Sequence, residues 1–128
     1  MANGTIAFDT LSTSGQISGT AVSVDTDYLA YGSAKAWLRL NGTGTIAIRD
    51  SFNIASNTDN ATGTTTTAFT NVFNNDEFAT TGMHSSTAHV MQVVVTNEVG
   101  SVKFRTQNSS FAQVDDPAQA ITVHGDLA

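Results

Sequence analysis

The sequence predicts an all-β fold: an antiparallel β-sandwich or small barrel of about seven or eight short strands, with an extended N-terminal arm. Three observations predict it. Threonine is the commonest residue, with 20 Thr beside 12 Ser and 10 Asn, while Lys and Glu occur only twice each; β-branched residues that suit a pleated strand thus replace good helix formers. Apolar residues alternate with polar ones over short runs, and no run carries the helical spacing. Turn residues recur at intervals of about ten positions, the spacing of sandwiches and barrels. With 40% apolar residues the chain has enough to bury for a packed core, which argues against disorder.

Residues 1–30 read as an arm that attaches to a neighbour or to its own domain, and residues 31–128 as the β domain. Within the arm, Gly4 to Phe8 suits a short strand, while Leu11 to Gly19 offers only Leu11 and Ile17 for burial. Ala34 to Leu40 alternates strictly, Ala34, Ala36, Leu38 and Leu40 on one side and Lys35, Trp37 and Arg39 on the other. Asn41-Gly42-Thr43-Gly44 supplies a turn and Thr45 to Asp50 returns, which predicts a β-hairpin. The expected register sets Lys35 against Asp50, since a slip by one would set Lys35 against Arg49. Phe52 to Ile54 continues the pattern, residues 56–60 read as a turn, and Thr62 to Phe73 as a strand with Thr65, Thr67, Phe69, Asn71 and Phe73 on one side. Residues 80–87 read as a loop. Val90 to Thr96, Ser101 to Thr106 and Ala120 to His124 complete the strands.

The charge balance narrows the function. Eleven acidic residues against five basic ones give −6, which disfavours a nucleic-acid partner. No cysteine is present, so disulfides and thiolate chemistry are excluded. No apolar run is long enough for membrane insertion, and no signal peptide is visible, so synthesis in the cytosol is expected. Gly42-Thr43-Gly44 has the look of a phosphate-binding loop, but a strand pattern follows it where a helix N-terminus is required. Asp25 with Asp27, and Asp115 with Asp116, lack the remainder of a calcium loop and read as turn aspartates. No nucleophile motif or metal-ligand spacing occurs, so neither an enzyme nor a cofactor or metal is expected.

The candidate interface or ligand-binding residues are Trp37, Lys35, Arg39, His84 and His89. Trp37 admits two readings: a core tryptophan packed on Ile46 and Ile48, or an aromatic that shares an outer face with Lys35 and Arg39 and meets a sugar or a partner subunit. His84 and His89, five apart, fall on opposite sides of a strand and read as surface or interface histidines.

Residues 32–60, GSAKAWLRLNGTGTIAIRDSFNIASNTDN, resemble the KAWVNFNGTGTVAIRDSFNVSSITDNGTG segment of small virion and tail-fibre-like proteins of tailed bacteriophages. Ser101 to Ser110, Ile121 to Asp126 and the leader Gly4 to Leu11 are similar to other parts of that family. The resemblance covers about half the chain. It departs at Thr64 to Phe69, where four threonines replace alternating aromatic and aliphatic residues, and residues 74–89 have no counterpart. The resemblance implies a non-enzymatic virion structural protein, homotrimeric, either a fibre-like or tip module for assembly and host attachment or a capsid decoration protein that cements neighbouring capsomers. Its implied partners are other copies, other virion proteins and host-surface glycans.

Overall fold

A computed structural model describes residues 15–18, 23–84 and 89–128. The strand read at Gly4 to Phe8 lies outside them. Eight strands form a sandwich: β3 (Ala36–Asn41), β4 (Ala47–Phe52), β5 (Ile54–Ala61), β6 (Thr64–Phe69), β7 (Ala79–His84), β8 (His89–Glu98), β9 (Ser101–Asn108) and β10 (Gln119–His124). Before them come the two-stranded β1 (Gln16–Ser18) and β2 (Ser23–Asp25), then a seven-residue helix, α1 (Thr26–Gly32). One sheet has the order β4-β3-β10-β7 and the other β5-β6-β9-β8, all pairs antiparallel.

Alternation decides what lies between the sheets. Ala36, Leu38 and Leu40 of β3 and Ile121 and Val123 of β10 meet Phe69 of β6 and Val102 and Phe104 of β9 in one buried cluster. At one end Phe69, Phe73 and Phe78 stack with ring centroids 4.5 to 5.6 Å apart, an arrangement that adds to area burial. The threonine run is no gap in this core. Thr65 and Thr67 are buried, and the Thr67 hydroxyl donates to Asn57 Oδ1 on the neighbouring strand, so the methyl can face the interior while the polar atom is satisfied.

The hairpin between residues 36 and 52 forms as expected, in a different register. Arg39, not Lys35, stands opposite Asp50, and Trp37 stands opposite Phe52. A bulge between Arg39 and Leu40 takes up the odd residue, and the inward-facing triplet Ala36, Leu38 and Leu40 fixes the pairing more strongly than one charge pair could. The turn read at 56–60 is instead the body of β5, and the reversal comes at Thr62-Gly63. Part of the loop read at 80–87 is β7, which gains its place by pairing along all of β10.

Asn53 is the corner where the chain leaves one sheet for the other. Its φ is 57°, in the left-handed region that asparagine tolerates better than most residues. Its side-chain amide donates to the carbonyls of Lys35 and Asn71, both at 3.0 Å, and its Oδ1 accepts from the Asn71 amide at 2.7 Å. Asn53→Ala removes all three bonds and keeps an unfavourable φ, so a loss of roughly 2–3 kcal/mol in urea unfolding is expected. Asn53→Gly, which relieves the backbone term, should lose less.

Candidate interaction face

The outward side of β3 presents Trp37 and Arg39, and cross-strand pairing extends it into a surface. One row runs Phe52, Trp37, Thr122, Thr81; the next runs Asp50, Arg39, Ala120, Met83. Phe52 is 55% exposed, Trp37 37% and Met83 74%. The central strand β10 contributes only the small Ala120 and Thr122 to these rows, so larger side chains stand on both sides of it. Trp37 is therefore the surface aromatic of the two readings, and it does not pack in the core on Ile46 and Ile48.

Arg39 is exposed and makes no ion pair among the described residues; the Asp50 carboxylate beside it accepts the amide of Ser51. Lys35 is employed locally. Its Nζ donates to the Leu29 carbonyl at 3.2 Å and to Ser33 Oγ at 2.6 Å, and Ser33 Oγ donates to the same carbonyl. A cation at a helix C-terminus is favourably placed against the helix dipole, so Lys35 ties α1 to the start of β3.

His84 does not join this face. It was expected at the surface, but it lies on the inward side of β7, opposite the buried Gln119, with Nδ1 3.9 Å from Asp116 Oδ2. Asp116 is fully buried and organises its loop: Oδ1 accepts the Ala118 amide at 2.8 Å, and its carbonyl accepts the Gly42 amide at 2.9 Å. His89 begins β8 opposite Asn108; its side chain lies outside the described residues. The other aspartates singled out in the sequence serve turns and caps. Asp25 accepts the Asp27 amide at the start of α1, and Asp115 accepts the Gly63 amide. Among the described residues no group of three His, Asp or Glu is placed to hold a metal ion.

Phe52 and Met83 are the members of this face that sequence reasoning missed. The register read from charge pairing hid Phe52 as a partner of Trp37. Met83 stood in a segment read as loop, where the alternation of Thr81 and Met83 was its one signal. Among the described residues, the outward positions of the opposite sheet include Thr58, Thr66, Ser101 and Lys103.

The chain matches no family model, no curated protein and no solved structure. No helix among the described residues is long and apolar enough to cross a membrane.

Proposed function

We propose that the chain is a non-enzymatic structural protein of a tailed-phage particle, an exposed fibre-like or tip module that self-associates as a trimer and attaches to a host surface. One observation carries the reading. The segment 32–60, by which the sequence resembles tail-fibre-like proteins, builds the β3–β4 hairpin and with it the outward Trp37, Phe52 and Arg39. An exposed aromatic pair beside an unpaired guanidinium, held on a rigid sheet, suits adhesion: large contact area with little entropy lost on binding. The hydroxyl-rich remainder keeps such a module soluble at low charge.

Counting copies on purified particles by mass spectrometry tests the role. A few tens of copies or fewer supports a fibre or tip module. Hundreds would instead favour capsid decoration, and absence from particles would overturn both. A second expected result concerns Trp37→Ala. Self-association or particle binding should weaken roughly tenfold or more, as for truncation of a central interface tryptophan, while the unfolding free energy of the isolated chain moves by less than about 1 kcal/mol. A drop in stability alone would assign Trp37 to folding.

A further inference from the structure

Two exposed patches on this chain are complementary and lie uncovered in the same molecule. The first is α1. None of its residues is buried, and it exposes Tyr28 (74%), Leu29 (47%) and Tyr31 (59%). A helix of seven residues is far below the length that is stable alone in water, so its ordering calls for a surface on which the two tyrosines can pack. The second patch is the face of Trp37, Phe52 and Met83. The bonds from Lys35 and Ser33 to the Leu29 carbonyl hold α1 at the start of β3, and in that position both patches remain exposed.

Charge separates them further. Asp25 and Asp27 stand at the start of α1, whereas residues 36–52 contain Arg39 and Arg49 against Asp50 alone. A chain of net −6 therefore carries two of its five Lys and Arg residues on this one hairpin.

We infer that α1 of one copy docks on the outer β4-β3-β10-β7 face of a second copy, Tyr28 and Tyr31 covering Trp37 and Phe52, with Asp25 and Asp27 facing Arg39. The occupant is a second copy because this chain itself supplies both halves, opposite in charge and alike in exposed aromatics. Each copy gives an arm and receives one, a heterologous contact that makes a ring where the rotation between copies closes, and the proposed trimer is such a ring. This deepens that reading by naming its self-association contact. Particle counting and solution mass are separate measurements, so either claim can fail without the other.

The test uses the full chain and sedimentation equilibrium. Wild type is expected at a multiple of 13.4 kDa. An arm variant, Tyr28→Ser with Tyr31→Ser, and a face variant, Arg39→Glu with Phe52→Ser, should each fall to the mass of one chain. Mixed together, they should form a 1:1 dimer and nothing larger, because the face of the first and the arm of the second are both intact. Circular dichroism and unfolding midpoints check that each variant folds. Should the face variant fail that check, the exposed charge changes decide: Arg39→Glu should weaken association about tenfold, and adding Asp27→Lys should restore most of it. A monomeric wild type overturns the inference. So does a mixture that stays monomeric, an arm variant that assembles as wild type does, or a charge swap that restores nothing.

Discussion

Phe104→Ala is expected to lower the stability of the sandwich by about 3–5 kcal/mol, the usual range for emptying a phenylalanine site in a packed core. Phe104 is buried on β9, stands opposite the buried Thr65 of β6 and belongs to the cluster shared by both sheets. The wall on the β6 side is Thr65 and Thr67, which are short and β-branched. Such neighbours have little length with which to refill the space, so the cost should lie toward the upper end. Against a typical total of roughly 5–15 kcal/mol, the urea midpoint should drop by a third or more. Lys103, the preceding residue on the outward side, is the control: Lys103→Ala should move the midpoint by no more than about 0.5 kcal/mol in free energy.

Gly63→Ala is the second large effect, and its cause is different. Gly63 has a φ of 64°, and a Cβ there would lie 2.6 Å from the Thr106 carbonyl oxygen and 2.7 and 2.8 Å from the Val114 amide nitrogen and carbonyl oxygen. All three are backbone atoms that no rotamer change can move. The same residue donates to Asp115 Oδ1 at 2.6 Å and accepts from the Thr106 amide at 2.8 Å, so displacing it disturbs the β5–β6 turn, the end of β9 and the loop before β10 together. Gly44 separates the two contributions. It has the same φ of 64° with nothing within 4 Å of an added Cβ, so Gly44→Ala should cost only the conformational part, about 1 kcal/mol. Gly63→Ala should cost at least twice that in denaturant unfolding. Equal losses in the two variants would mean that the strand end and loop yield freely.

The fold class, the β3–β4 hairpin and the later strands were legible because alternation reports which side of a strand is buried without reference to the partner. Registers and turn positions were less so. The pairing of Lys35 with Asp50 looked favourable as a charge match, yet exposed charge pairs contribute little beside three inward aliphatic residues on β3. The sequence around 56–60 is as rich in Asn, Asp and Ser as any turn, but those side chains are tolerated on β5 because it is an edge strand with one side in solvent. Gly63, the residue that reverses the chain, has no special neighbours in sequence; its partners Val114 and Asp115 are some fifty positions away. The interaction face was half legible. Trp37 and Arg39 share a strand, and period two placed them together. Phe52 and Met83 reach them across strands that only the tertiary pairing brings alongside, and α1 is too short to leave a periodic trace.

The position of β10 between β3 and β7 governs how the protein is born. The earliest strand of the sandwich waits beside an empty slot until residues 119–124 leave the ribosome, and until then Leu38 and Leu40 lack the neighbouring Ile121 and Val123. Completion thus comes late, by long-range pairings of the kind that slow folding. During that interval every nascent copy offers open sheet margins to its neighbours, and a truncation that takes residues 119–124 would remove a central stave and not a trim piece.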